Sequence, residues 1–207
     1  MQMLDEKYID IIREMVNIGV GQAADTLNQI INSHIALHVP VVKVIEFSNL
    51  HKELHELVAE NNASINLNFA KGLNGSAKLI FPTNSATKLV KLFVGDLYEN
   101  DEDTSLDELR ISALTEIGNV IINTIIGTIS NELGIEITYT VPEYEEEIIN
   151  EYSPENGERE YMILLCQANF MAKEVDISGN LVIFFNIDHF NEFIKILEVF
   201  YKRISIG

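Results

Sequence analysis

Apolar side chains recur three and four positions apart from Leu4 to Ile31, a helical period, with a turn expected near Gly19 and Gly21. Pro40 forces an extended Val39 and is expected to open a strand running through Ile45. Ile65 to Phe69 alternates apolar and polar residues, Gly72 to Gly75 carries turn chemistry, and Ala77 to Phe81 is a second strand run. Ser85 to Leu97 closes this first half as an amphipathic helix. Beyond an acidic linker at 99–103, Ser105 and Glu108 have capping-box spacing, so a long helix starts there and runs to about Leu133, where Gly134 stops it. Pro142 repeats the entry to a strand. The acidic stretch from Glu143 to Glu160, which holds Pro154 and Gly157, reads as an exposed hairpin or loop, and Phe190 to Ile204 as the last helix.

The two halves are copies. Asp10, Glu14 and Asn17 are followed by Pro40, and Ser112, Glu116 and Asn119 by Pro142; every member is displaced by 102 residues. The pattern is [D/S]-x3-E-x2-N-x22-P. Farther on, Phe69 through Phe81 is echoed by Phe170 through Phe185, with Gly75 answering Gly179 and Leu79-Ile80-Phe81 answering Ile183-Phe184-Phe185, an offset of 104. Two α-β-β-β-α units, about 1–100 and 104–207, would join about a pseudo-two-fold axis into a single α+β domain of 1–207, with one antiparallel sheet flanked by helices.

On a helical wheel Glu14, Asn17 and Gly21 fall within roughly 40° of Asp10. Ile9, Ile11, Ile12, Met15, Val16, Ile18 and Val20 occupy nearly all the remaining circumference. The second helix repeats this, with Ile111, Leu114, Ile117, Val120, Ile121, Ile122 and Ile125 around Ser112, Glu116, Asn119 and Asn123. A helix that only shields a core carries a wider, Lys- and Glu-rich outer face. A single Glu-x2-Asn would pass for ordinary surface, but its recurrence with the distant proline marks a site. The chemistry open to it is narrow: a carboxamide has no useful pKa and is no general base, yet it donates and accepts hydrogen bonds and so orients a water. Gly21 removes a side chain one turn beyond Asn17, where another surface can approach.

Composition limits the partners. The 207 residues are 47% hydrophobic and 22% charged, enough for a real core, and 32 acids against 14 Lys plus Arg give a formal charge of -18. Such a charge repels nucleic-acid backbones and anionic lipid surfaces, so a protein partner or small ligand is expected instead. Cys166 stands alone among apolar neighbours, which excludes an internal disulfide and a Cys-based zinc site and points to a buried thiol. The N-terminal Met-Gln-Met-Leu-Asp-Glu has no basic region before an apolar stretch, and no run reaches the roughly 20 apolar residues of a membrane span. A cytoplasmic, monomeric protein is expected.

The columns resemble those of the CheC/CheX/FliY chemotaxis phosphatases, most closely the CheC branch. Glu14 to Ala24, Glu-Met-Val-Asn-Ile-Gly-Val-Gly-Gln-Ala-Ala, is similar to that family's E-x2-N-I-G-x-G-x-A-A opening, and Glu116-Ile117-Gly118-Asn119 to its second copy. The similarity covers essentially the whole chain; two motifs set it apart from CheX, and an added C-terminal domain as in FliY is not expected. The resemblance implies a hydrolase acting on the phosphorylated aspartate of a CheY-type response regulator. Asn17 and Asn119 would then insert beside the acyl phosphate and align the attacking water, while Glu14 and Glu116 pair with a lysine of the regulator. Asp10 and Ser112 would cap or orient the glutamates, and Pro40 and Pro142 would set the turn from helix to strand. The regulator would hold Mg²⁺, so no cofactor or metal ligand set is expected on this chain. CheD, a receptor deamidase, is implied as a second partner. Asn123 has no counterpart to Gly21's missing side chain, so the two sites are not expected to accept the regulator equally.

Competing chemistry is weaker. His34 with His38 and His51 with His55 have His-x3-His spacing, but the first pair straddles the helix-to-strand passage and no third ligand is fixed. The Gly72 to Gly75 turn lacks Gly-x4-Gly-Lys-Ser/Thr and opens no helix, and the acidic runs lack EF-hand spacing. The serious alternatives are an adaptor that docks on a regulator or on CheD without hydrolysis, and a FliY-like motor-switch component.

Overall fold

The computed structural model describes residues 4–31, 35–55, 61–95, 105–148, 161–172 and 175–206; the acidic linker at 99–103 and the stretch 149–160 lie outside them. The order is α1 (Glu6–Ile31), β1 (Ile35–Glu46), a single 3-10 turn (Phe47–Asn49), α2 (Leu50–His55), β2 (Asn61–Lys71), β3 (Gly75–Pro82), α3 (Thr83–Val94), α4 (Ser105–Leu133), β4 (Ile137–Tyr139), β5 (Glu143–Ile148), β6 (Tyr161–Ala172), β7 (Val175–Asn186) and α5 (Ile187–Ile206). The seven strands form one antiparallel sheet in the order β1-β6-β7-β3-β2, with β4 and β5 sharing the last place against β2.

That order is unchanged when the halves are exchanged. β1 spans Ile35–Glu46, and β4 with β5 spans Ile137–Ile148, the same segment displaced by 102 residues. Each half places its first strand on the far edge of the sheet, beside a strand of the other half: β1 pairs with β6, and β4 and β5 pair with β2. The halves meet at β3 and β7. Because the edge strands are exchanged, neither half can form its sheet alone.

The prolines of the repeated pattern lie on these sheet edges: Pro142 stands directly before β5, as expected of a strand entry, whereas Pro40 departs from that reading. Pro40 does not open β1 but stands five residues inside it, where Val39 and Pro40 together oppose Ala168 and the pairing slips between His38 and Val41. In the other half Tyr139 faces Phe69 and Glu143 faces Asn66, so Thr140, Val141 and Pro142 span two residues of β2. Both are bulges, places where an edge strand tolerates a residue with no N–H to donate. Thr140 closes the second one, its N–H donating to the Asn68 carbonyl and its hydroxyl accepting from the Asn68 N–H, both at 2.9 Å. A proline's fixed φ suits the start of a strand and a bulge within one alike, and only the pairing distinguishes them.

Other expectations shift as well. α1 runs through Gly19 and Gly21 without a turn. Gly19 lies against α4: a Cβ there would stand 2.8 Å from the Cα of Ile125 and 3.3 Å from Thr128, so its missing side chain brings two helices together rather than breaking one. Thr128 also donates to the Gln22 side-chain oxygen across this contact at 3.0 Å. Glu143–Ile148 is strand β5 rather than the start of a loop, with Glu145 on the nearly buried Lys78 at 2.9 Å and Glu146 on Arg110 at 2.6 Å. Acidic alternation on an edge strand imitates loop composition. The short α2 carried too few residues to show a period. α4 ends as expected: Gly134 adopts φ +70°, and the Ile135 N–H donates to the Ser130 carbonyl at 3.0 Å.

Strand alternation sorts the core into two layers. Ala63, Ile65, Leu67 and Phe69 of β2, Ala77, Leu79 and Phe81 of β3, Leu181, Ile183 and Phe185 of β7, and Leu164 and Cys166 of β6 face α1, α3, α4 and α5. Ile80, Ile163, Leu165, Val182 and Phe184 point the other way, under Leu50 of α2. The four longer helices, α1, α3, α4 and α5, therefore gather on one face, and the short α2 lies on the other. α4 is also long and apolar enough, by length and mean hydropathy over Asp107–Leu133, to cross a membrane, which a count of unbroken apolar runs did not register. One side of it is packed in the protein, with Ile117, Ile121, Ile122 and Ile125 all buried.

Burial pushes the Cys166 thiol up to about 12. The folded thiol keeps its proton where the unfolded one, near 9, has lost it, so its contribution to stability is full below pH 9 and is lost as pH rises from there toward 12. A thiol-specific probe at pH 8 is expected to label Cys166 only in denaturant; labelling at the native rate of an open thiol would contradict the buried packing.

Candidate functional site

Each polar column rises on a long helix whose other side is held by the core. In α1, Ile12, Met15, Val16 and Val20 are buried, which turns Asp10 and Glu14 fully outward and leaves Asn17 half-buried. In α4, Ala113, Leu114, Ile117 and Ile121 are buried, Ser112 and Glu116 are exposed, and Asn119 is half-buried. The apolar wedge fixes the angular position of the column, and i, i+4, i+7 spacing does the rest. Each site thus presents a solvated carboxylate above a partly sheltered carboxamide. Exposed Ile18 flanks the first column and exposed Ile111 the second.

The backbone beneath the second column is tightly seated. A Cβ on Gly118 would lie 2.7 Å from three side-chain atoms of Ile65, so α4 rests directly on β2 one residue before Asn119. A shallow groove between α3 and α4 runs along the same column, lined by Phe93, Val94, Leu109, Ala113, Ser112 and Glu116.

At the first motif position of α1, Asp10 makes an ion pair. Its carboxylate is paired with Arg13, one turn on, and Ser112 has Thr115 at the corresponding place, whose hydroxyl donates to its own helix at Ile111. The bulges carrying Pro40 and Pro142 lie in edge strands and join neither column. His38 is an exposed residue of β1, and among the described residues no three His, Cys, Asp or Glu side chains are grouped to hold a metal ion. His34 lies outside the described residues.

The columns differ at their fourth position. Asn123 Nδ2 donates to Asn119 Oδ1 at 2.5 Å, and the Asn123 Oδ1 is buried without a partner. In α1 the equivalent position is Gly21, where an added Cβ would meet nothing within 4 Å, and among the described residues the Asn17 carboxamide has no hydrogen-bond partner. The absence of a glycine at 123 is legible in the sequence, and the bond follows from two amides at i and i+4 on one helix face, a spacing at which side chains can meet.

No family model matches the chain. Its fold is that of FliY and of the FliM middle domain: the crystal structure of Thermotoga maritima FliY superimposes with a TM-score of 0.74 over 99% of this chain and 98% of that one at 21% identity, and the H. pylori FliM middle domain with 0.65 over 94% and 99% at 10% identity. Among curated proteins the chain is 29% identical over 140 residues to the CheY-P phosphatase CheC of Bacillus subtilis, and 27% identical over 142 residues to the flagellar motor switch phosphatase FliY of the same organism. Together these similarities support a CheC-type chain. The matched segments span 68% and 69% of this chain but 66% of that CheC and 36% of that FliY.

Proposed function

We propose that the chain is a protein-aspartyl-phosphate phosphatase acting on a CheY-type response regulator, with Asn17 and Asn119 each orienting an attacking water. The observation that carries this reading is the pair of outward columns, each a free-standing carboxylate above a half-buried carboxamide on a rigid apolar helix. Glu14 and Glu116 dock on a cation of the regulator, and the carboxamide oxygen accepts a hydrogen bond from water, turning a water lone pair toward phosphorus. The water oxygen bonds to phosphorus as the aspartyl oxygen–phosphorus bond breaks, releasing inorganic phosphate and the aspartate carboxylate. Mg²⁺ belongs to the regulator in this scheme and supplies the charge stabilisation that neither column can provide. We place the protein in the cytoplasm as a monomer built as a single domain of two repeats, with CheD as a further partner.

The test is phosphate release from a phosphorylated CheY-type protein with Mg²⁺. Added chain is expected to accelerate the loss of phosphate catalytically, well below one equivalent. Equal decay with and without it, together with measurable binding, would replace the enzyme by an adaptor. Co-purification with flagellar switch proteins without any acceleration would instead favour a motor-switch role.

A further inference from the structure

We propose that Asn123 is a positioning residue that restrains the second site and makes the two columns unequal; this rests on the phosphatase reading. A water-orienting carboxamide works through its oxygen, the only atom of the group able to accept a hydrogen bond from the nucleophile. In α4 that oxygen is already engaged by Asn123 Nδ2 at 2.5 Å. In α1 nothing occupies the corresponding volume, and Asn17 is free to turn its oxygen to a water.

The orientation of the pair is set by what lies behind it. Reversing the Asn119 amide would require Asn123 to reverse as well, because two oxygens or two NH2 groups cannot face each other at this distance. Reversal would then place the Asn123 NH2 where its oxygen now sits, buried and without a partner. A buried orphan donor is rarer and less tolerated than an orphan carbonyl, so the observed arrangement is the favoured one. The second site must share or break this bond before each turnover, whereas the first has no such step.

The experiment isolates one column at a time. In an Asn17→Ala background, Asn123→Gly is expected to raise kcat about five-fold, roughly the worth of one neutral hydrogen bond, with KM little changed. Asn123→Asp, the same shape but unable to donate from that atom, is expected to act in the same direction. In an Asn119→Ala background, Gly21→Asn is expected to lower kcat by a similar factor. A gain with Asn123→Gly that Asn123→Asp fails to reproduce would assign the effect to bulk and overturn the proposal, as would a change confined to KM. The restraint is read independently of activity by side-chain amide NMR: the Asn119 NH2 signals of the free protein should shift and broaden on Asn123→Gly. If they stay in place the proposal is wrong, whatever the activity; if they move in a chain that hydrolyses nothing, it is the phosphatase reading that falls, and the catalytic half of this proposal with it.

Discussion

Replacing Asn17 and Asn119 together by alanine is expected to return a phosphorylated CheY-type regulator to nearly its own rate of decay, a loss of roughly two orders of magnitude in stimulated turnover. The reason for so large an effect is that the proposed scheme gives the water to these two amides, while Asp10 is tied to Arg13, Asn123 is bonded to Asn119 and the hydroxyl of Thr115 is turned back to its own helix. Removing the amides leaves the exposed carboxylates of Glu14 and Glu116 where they stand, so binding of the regulator loaded with a stable phosphoryl analogue should persist within a few-fold. Glu14→Ala with Glu116→Ala should do the opposite, weakening association, and more so at low salt. Stopped-flow decay and titration calorimetry on both pairs separate these outcomes. Retention of full turnover by the double asparagine variant would move the water-orienting role elsewhere on the molecule.

How far this could be read from the residues alone depended on the range of the interaction involved. The two long helices were legible because Ile12, Met15, Val16 and their counterparts in α4 repeat at a local spacing that burial then fixes. The columns followed from the same count, since i, i+4 and i+7 share a face whatever the helix packs against. What escaped was set by contacts distant in sequence. Nothing local to Pro40 reveals that β1 crosses to the far half and pairs with β6, and without that partner a bulge and a strand entry look alike. Likewise Gly19 resembles a helix breaker until Ile125 of α4 is seen against it, and Glu145 resembles a loop acid until Lys78 is found on the adjacent surface of the sheet. Exchange of edge strands between the halves is a property of pairing, and the duplicated pattern is equally compatible with each half keeping its own.

Gly118→Ala and Gly21→Ala are expected to change stability in opposite directions, although both glycines lie inside helices one residue or one turn from a proposed catalytic amide. By helix propensity alone each substitution would stabilise by about 1 kcal/mol. At Gly21 that gain is realised nearly in full, because an added methyl meets nothing within 4 Å. At Gly118 the methyl would be driven to 2.7 Å from the Cβ, Cγ1 and Cγ2 of Ile65, a fully buried, branched residue that cannot swing aside. Overpacking of this kind costs about 1–3 kcal/mol, and the larger Gly118→Val should exceed that range because a second branched side chain meets the first. The helix can escape only by lifting from β2, and Glu116 and Asn119 ride on the turn that lifts. Turnover through the second column should therefore fall along with stability, measured in an Asn17→Ala background, while the first column keeps its rate. Ile65→Ala opens the space, so the Gly118→Ala, Ile65→Ala double variant should be more stable than the sum of the two single losses by about 1 kcal/mol or more. Strict additivity in denaturant melts would mean that α4 does not rest on β2 through this glycine, and the height of the second column would then have to be set by some other contact.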